Sequence, residues 1–340
     1  MEEAKLTDPF IKGWLDYLAF ALSGLDAAGT LGAAVAFTMG DLYRPGASLD
    51  YPVGGSGAVI DALVRGIERH GGTVRLSTHV ERINVDESGR AVGVTLRSGE
   101  VLPASAVVSN ADAWATVKLL PETARPVPRP RQGGALNSGM AKTDSFMHLH
   151  IGFRAAEGEL QAMKACGMGL GIHYSVVLDD FEDICKDNNM VIISIPTLLD
   201  PGLAPEGHHV LHAYYAADEP YTPWAGLDRR SEEYAALKLE RAKPLWAAVE
   251  KLIPDIKERL VVEMVGTPLT HERFLRRTEG TYGPPLFAPG GGGETIPYAG
   301  TPVPGLLRGS MSRASPIQPA WPARPDWSAE AGRSLGQPEA

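Results

Sequence analysis

The segment covering residues 51–111 constrains the fold most, because its hydrophobic period changes from helical to strand-like. It opens with the glycine-rich turn Tyr-Pro-Val-Gly-Gly-Ser-Gly and continues as a predicted helix that presents Val59, Leu63 and Ile67 on one face. Ser56 is the expected N-cap, and the sequence His-Gly-Gly at 70–72 is the expected end of the helix.

Strand patterns follow this helix. Apolar residues alternate over 74–80 and again over 92–96, and the sequence Asp-Glu-Ser-Gly at 86–89 predicts the turn that leads into the second of these strands. The run that starts at Ala106 is continuously apolar, which favours a strand covered on both faces. A glycine-rich turn, a helix, a strand, a hairpin and a buried strand in this order indicate an α/β fold.

Beyond residue 143 the strand patterns multiply. Strands are predicted over 146–153, 174–178, 190–195 and 209–215, which favours a mostly antiparallel sheet in a second domain. Helical spacing over 233–253 predicts one long helix, and Pro244 inside it predicts a kink or a break into two helices.

The most apolar stretch covers residues 14–39. Asp16, Asp26 and the Ser-Gly pair at 23–24 interrupt it too often for a membrane span, so two helices joined near Gly24 are expected. Buried helices of a soluble domain are slightly favoured. The alternatives are the wall of an apolar substrate tunnel or a patch that rests on a membrane.

Charge and motifs exclude several classes of function. The chain carries 32 Lys and Arg against 41 Asp and Glu, a net charge of −9 without a basic run, which argues against nucleic-acid binding. The Gly-x-Ser-x-Gly motif of serine hydrolases is absent. Two cysteines in 340 residues indicate a reducing compartment rather than a secreted scaffold.

Histidines raise the question of a metal. His148 and His150 share one face of a predicted strand, as do His208 and His212. Nothing in this spacing requires three or four ligands to converge, so polar histidines facing a cofactor or solvent are favoured and no metal is expected.

Several segments together resemble a known family. The sequences Ile-Pro-Thr-Leu-Leu-Asp-Pro at 195–201 and Gly-Thr-Tyr-Gly-Pro at 280–284 are the more specific of them. The remaining segments lie at 49–55, 70–74, 107–111, 204–209 and 266–275. This series resembles the carotenoid isomerase (prolycopene isomerase) branch of the phytoene desaturase and amine oxidase flavoproteins.

The resemblance implies an FAD-binding Rossmann-like domain interleaved with a substrate domain that has a mixed or antiparallel sheet. Family members convert cis double bonds of poly-cis carotenoids such as prolycopene to trans, using reduced FAD and with no net redox change. The implied partners are an apolar polyene and a membrane surface, and the implied location is the plastid or, alternatively, a photosynthetic bacterium. A carotenoid desaturase or a retinol saturase-like oxidoreductase is the alternative within the same superfamily.

The resemblance also implies site residues, although it assigns no acid/base side chain. Val80 would meet the flavin adenine through its backbone, and the cofactor site would include Ser109, Asn110, Ala111 and Gly309. The positions implied for the substrate are Gly54, Gly55 and Tyr282.

Both ends depart from the family pattern, so the Rossmann-like domain is expected to be incomplete. The family's N-terminal G-x-G-x-x-G unit is missing, and a Pro-rich tail, expected to be disordered, replaces the usual ending at 312–340. A frameshift near Ser312 would explain the tail, and a non-catalytic fragment unable to hold FAD is the third hypothesis. The expected segments are a helical substrate- or membrane-facing part at 1–50, cofactor-domain parts at 51–120 and 286–311, an insertion at 121–143 and the substrate domain at 144–285.

Overall fold

The chain forms two compact units. The computed structural model describes residues 7–23, 26–30, 32–47, 51–126, 142–156, 158, 173–215, 217–282 and 301–308. Unit 1 comprises Met1–Val74, Asp144–Phe274 and Glu279–Tyr282, and unit 2 comprises Arg75–Thr143, Leu275–Thr278 and Gly283–Ala340. Because the chain passes repeatedly from one unit to the other, the predicted interleaved α/β fold is confirmed.

Several predicted segments group differently from the prediction or lie outside the described residues. Residues 51–74, assigned from the sequence to the cofactor domain, group with unit 1. Three predicted features lie outside the described residues: most of the insertion (127–141), Gly309 and the tail at 312–340. The functional assignment of the segments stays a prediction.

Unit 1 is built on an antiparallel sheet flanked by helices. Its described strands are β5 (His148–Arg154), β6 (His173–Val177), β7 (Met190–Ser194), β8 (His208–Tyr214) and β9 (Leu260–Gly266). They pair in the order β6-β7-β8-β5-β9, and every pairing is antiparallel, as expected. Its described helices are α1 (Pro9–Ser23), α2 (Gly32–Leu42), α3 (Ser56–Arg69), α5 (Glu232–Leu252) and α6 (Pro268–Leu275).

The two faces of this sheet differ in chemistry. Along β5, Leu149, Ile151 and Phe153 are buried in the main core, where Leu245 and Val249 of α5 also lie. The alternate residues, including His148 and His150, therefore point to the opposite face. Truncating Phe153 to Ala would cost about 3–5 kcal/mol, which is typical of a filled core position.

Helix α5 runs through Pro244 as one helix, so of the two predicted outcomes, a kink or a break into two helices, the break is wrong and the kink stays a prediction. Ser231 caps its first turn by accepting a hydrogen bond from the amide of Tyr234. Its buried residues Ala242, Leu245 and Val249 bracket the proline and hold both halves of the helix against the sheet. Tertiary packing thus outweighs the backbone hydrogen bond that proline cannot donate.

The apolar first segment forms two helices, as predicted. Phe20 of α1 packs in a small core with Ile184 and Met190, whereas Phe10 at the other end of α1 is 66% exposed. No helix among the described residues combines the length and apolarity needed to cross a membrane.

Helix α3 is confirmed, but its N-cap is Gly55 rather than Ser56, which is the first helical residue. Gly55 has a φ of 78°, a conformation that serine adopts only with strain. The helix ends as predicted, since Gly71 has a φ of 79°. No residue of α3 is buried.

Unit 2 contains two small sheets. Strands β1 (Val80–Val85), β2 (Ala91–Leu96) and β3 (Val101–Pro103) form an antiparallel sheet. Strand β4 (Val107–Ser109) pairs in parallel with β10 (Leu306–Arg308), and helix α4 (Ala113–Leu119) follows β4. The shared core consists of Ile83, Ala91, Val107, Val117, Leu120, Val303 and Leu306.

Two strand predictions in unit 2 need correction. The alternation over 74–80 does not form a strand, because a turn at Leu76 and Ser77, with φ of 53° at Ser77, precedes β1. Strand β4 is not covered on both faces, since Val108 is 64% exposed. Its flanking residues Val107 and Ser109 face the core instead.

Candidate functional site

The predicted substrate residues Gly54 and Gly55 form a tight turn before α3. Both have positive φ, 80° and 78°. The amide of Gly54 donates to Oδ2 of Asp200 at 2.8 Å, and a Cβ at Gly55 would lie 3.2 Å from the Leu203 side chain. The turn is therefore fixed against Asp200, within the stretch at 195–201 that carries the family resemblance, and against Leu203, which follows it.

The third predicted substrate residue, Tyr282, lies elsewhere in unit 1, in an aromatic group. Its ring meets the Phe146 ring edge-on at 4.9 Å between centroids, and Phe146 stacks on His271 at 4.0 Å. The Tyr282 hydroxyl donates to the Ala21 carbonyl oxygen at 3.2 Å. Tyr282 thus joins the apolar helix α1 to the aromatic residues at the start of β5.

Next to this aromatic group lies a histidine cluster, defined here as His148, His150 and His212. In the register of β5 and β8, His150 lies directly opposite His212. The rings of these two residues stack at 4.5 Å, and Nδ1 of His148 lies 2.5 Å from Nε2 of His212. The strand pattern correctly placed His148 and His150 on one face but gave no pairing that would bring His212 to them.

The cluster is neutral at neutral pH. Burial and, secondarily, the neighbouring imidazoles lower the pKa of His212 to about 3 and the pKa of His148 even further. Burial also lowers the pKa of His150. Each neutral ring has one unprotonated nitrogen, and in the contact between His148 and His212 one such nitrogen accepts the hydrogen of the other ring.

In unit 2, predicted cofactor residues lie at the carboxyl end of a parallel pair of strands. Ser109 ends β4 and pairs with Arg308 of β10, the residue before the predicted position Gly309. Ligands of such sheets bind outside the carboxyl ends of the strands. The structure therefore places the described end of β10 beside Ser109, whereas Gly309 lies outside the described residues.

The residues at this edge differ in the groups that they can offer a cofactor. The Ser109 hydroxyl is buried against that of Thr116 at 2.8 Å, so Ser109 can offer a cofactor only its backbone. Asn110 is exposed and has both a donor and an acceptor available for a ligand. Ala111 precedes Asp112, which caps α4. These residues fit a flavin contact made by main-chain groups and one amide.

Val80, the remaining predicted cofactor residue, begins β1. The register between β1 and β2 shifts between Val80 and Arg82, so the ladder is irregular at this point. Such irregularities redirect backbone groups away from regular pairing. A backbone contact at Val80 is compatible with this geometry and stays a prediction.

The family described as flavin containing amine oxidoreductase matches residues 4–255. This match confirms the predicted resemblance to the flavin-containing amine oxidoreductases. A prolycopene isomerase of Arabidopsis thaliana is 30% identical over 302 residues, which are 88% of this chain and 48% of that protein.

Two further relatives bear on function and fold. A neurosporene-forming phytoene desaturase of Rhodobacter capsulatus is 30% identical over 236 residues, 66% of this chain and 42% of that protein. The crystal structure of an oxidoreductase from Methanosarcina mazei superposes with a TM-score of 0.57 at 17% identity, covering 92% of this chain and 62% of that one, which shows a shared fold. The chain spans about half the length of the curated relatives it matches.

Proposed function

We propose that this chain, which belongs to the flavin-containing amine oxidoreductase family, acts as a carotenoid cis-to-trans isomerase on poly-cis carotenoids such as prolycopene, with reduced FAD. The extent of the match carries the proposal. At the same 30% identity, the isomerase of Arabidopsis thaliana matches 88% of the chain and the desaturase of Rhodobacter capsulatus only 66%. Isomerase-like sequence therefore extends over more of the chain.

Val80 and the residues at the carboxyl ends of β4 and β10 would hold the cofactor. Asn110 supplies an exposed amide, and the backbone from Ser109 to Ala111 supplies further polar groups at the same edge. Gly309 follows β10 in the sequence and completes the proposed set. A bound reduced flavin supplies the electrons or protons that lower the barrier to rotation about a polyene double bond.

The substrate side of the proposal rests on unit 1. A polyene offers no hydrogen-bonding groups, so its site must be apolar and closed to water. Helix α1 is apolar, and Tyr282 links it to the ring of Phe146. We therefore assign Tyr282 to the wall of the polyene site, with Gly54 and Gly55 shaping a turn that contributes to it.

The second candidate is a carotenoid desaturase, favoured by the match to the Rhodobacter capsulatus enzyme. Desaturation removes two hydrogens from the substrate, whereas isomerisation leaves its mass unchanged. A retinol saturase-like reduction would add two hydrogens. The three reactions are thus separated by the mass of the product.

Cell location belongs to the proposal as well. The isomerase of Arabidopsis thaliana is described as chloroplastic, which supports a plastid location. Carotenoids dissolve in lipid, so we propose that the exposed end of α1, with Phe10 66% and Ile11 43% exposed, rests on the membrane that delivers the substrate.

The test is to incubate the purified chain with reduced FAD and liposomes that contain poly-cis lycopene. The products are separated by chromatography and weighed by mass spectrometry. The proposal predicts all-trans lycopene of unchanged mass, and none without flavin. It also predicts that Tyr282→Ala raises KM, whereas Tyr43→Ala, which removes a tyrosine that is 67% exposed, does not. A parallel incubation with phytoene and oxidised FAD, which can accept the hydrogens, tests the desaturase, whose product is lighter by two hydrogens for each double bond formed. No product in either incubation would refute both candidates.

A further inference from the structure

We propose that the histidine cluster of His148, His150 and His212 binds one divalent transition-metal ion of the Zn²⁺ class. Each histidine offers one ring nitrogen, and the three nitrogens lie within 4.8 Å of one another. In the part of the chain that the structure describes, this is the one group of metal-ligating side chains with such spacing. The proposal departs from the sequence expectation of no metal and does not depend on the flavin chemistry above.

The sheet itself assembles the three ligands. His150 and His212 form a directly opposed cross-strand pair, and His148 lies two residues from His150 on the same face of β5. Leu149 and Ile151, on the other face, anchor β5 in the core. Ligands on packed strands are held more precisely than ligands on loops, which favours a defined site over a chance grouping.

A metal ion could replace the hydrogen that lies between the nitrogens of His148 and His212. The separation of 2.5 Å between Nδ1 of His148 and Nε2 of His212 is that of a pair sharing one hydrogen. Two nitrogens bound tetrahedrally at about 2.0–2.1 Å to Zn²⁺ lie about 3.3 Å apart. The two nitrogens must move apart by slightly less than 1 Å. The three rings, which lie within 16° of parallel, must also turn so that their lone pairs converge on the ion.

The donor set selects the class of ion. Three imidazole nitrogens without thiolate or carboxylate suit Zn²⁺, Cu²⁺ or Ni²⁺ rather than Mg²⁺ or Ca²⁺. Three protein ligands leave a fourth position for water or another small ligand. His150 is exposed and gives the ion a route from solvent, whereas His148 and His212 are half-buried.

The surroundings support the ligands from one side. The ring of His271 lies 4.6 Å from that of His148, and Nε2 of His271 is 3.1 Å from the Phe146 carbonyl oxygen. This hydrogen bond holds the His271 ring against the cluster and leaves the ring nitrogens of the cluster unused. The rings of His212 and Tyr214 stack at 5.0 Å and limit the movement of His212.

The test measures Zn²⁺ binding directly. The chain is treated with chelator, returned to metal-free buffer and titrated with Zn²⁺ in competition with a chromophoric chelator. One ion per chain is expected, with binding weakened about tenfold or more in His150→Gln and in His212→Gln. The matched control is His208→Gln, on the same strand as His212 but bonded to the Glu206 carbonyl oxygen, and it should retain affinity within about twofold.

Co²⁺ provides an independent readout, because tetrahedral coordination gives intense visible bands. The wild-type chain should show these bands at one equivalent, and His150→Gln should not. His150 is exposed, so this variant keeps its fold, which far-UV circular dichroism verifies. Absence of Zn²⁺ binding, or equal weakening in His208→Gln, would overturn the site and indicate adventitious binding by the chain's nine histidines.

Discussion

Replacing Glu219 by glutamine should destabilise unit 1 more than any exposed charge substitution. The Glu219 side chain is fully buried and accepts a hydrogen bond from Trp224 Nε1 at 2.7 Å. Nε of Arg241 contacts both of its carboxylate oxygens at 2.9 Å, and the Tyr215 hydroxyl donates to it at 3.3 Å. One carboxylate therefore satisfies three donors.

This network supports the candidate site. The backbone of Glu219 pairs with that of Ser145 in both directions, at 2.9 and 3.2 Å. Ser145 lies just before β5, and its hydroxyl donates to the Gly280 carbonyl oxygen at 2.6 Å. Loosening Glu219 would therefore disturb both the strand that carries His148 and the segment that carries Tyr282.

The magnitude follows from burial. Removing one partner of a buried ion pair costs about 3–5 kcal/mol, because the other charge loses its counter-charge. The Arg241 side chain is 30% exposed, so water compensates in part and a loss of about 3 kcal/mol is expected. The matched control is Glu240→Gln, which breaks a surface pair with Lys243 at a side chain 64% exposed and should cost less than about 1 kcal/mol.

Urea unfolding followed by far-UV circular dichroism measures both variants. Arg241→Met is added alone and together with Glu219→Gln. Because the two groups form one pair, the double variant should lose less free energy of unfolding than the sum of the singles, by about 1–3 kcal/mol. Additive losses, or a Glu219→Gln effect no larger than that of Glu240→Gln, would refute the reasoning.

Three further predictions concern stability. Gly93→Ala places a Cβ 2.2 Å from the Leu102 carbonyl oxygen, so it should lower the free energy of unfolding in urea by at least about 2 kcal/mol. Gly57→Ala places its Cβ in open space on α3 and should not destabilise the protein. Asp112→Ala removes the carboxylate that accepts hydrogen bonds from the Ala115 amide and from the amide and hydroxyl of Thr278. The loss in free energy of unfolding should therefore exceed the roughly 1 kcal/mol expected for Ser231→Ala, which removes one capping hydrogen bond. Equal losses would contradict this. Burial, with nearby Asp187 and Glu219, raises the pKa of Asp218 from 3.8 to about 8. Between these pH values the folded state therefore binds a proton that the unfolded state has released. The free energy of unfolding should fall as pH rises from 4 to 8, and it should fall more steeply in the wild type than in Asp218→Asn. The same pH dependence in both proteins would show that Asp218 does not cause the fall.

Much of the fold could be predicted because strand alternation is a local signal. Strands β5 to β8 and helix α5 appear where their hydrophobic periods place them. Strand β9 was missed, although Val261, Val262 and Met264 favour a strand, because these side chains are all more than half exposed and give no buried alternation. The alternation at 74–80 failed for a related reason, since neither Val74 nor Leu76 is buried.

The site was less predictable because it depends on register. His148 and His150 are two residues apart, so their common face follows from the strand period alone. His212 joins them only because β8 lies beside β5 with His212 opposite His150, and that pairing is set by the packing of the whole sheet. Likewise, the family resemblance pointed to Ser109 but not to its neighbour across the sheet, because the parallel pairing of Ser109 with Arg308 joins segments about 200 residues apart.

The most direct test of the proposed flavoenzyme is the visible absorption spectrum of the purified chain after addition of FAD and removal of free flavin by desalting. The proposal predicts that flavin bands stay with the protein and that Asn110→Ala reduces the retained amount, whereas Ser88→Ala, an exposed turn serine in unit 2, does not. A colourless wild-type protein would contradict the proposal, because an isomerase that depends on reduced FAD must hold it.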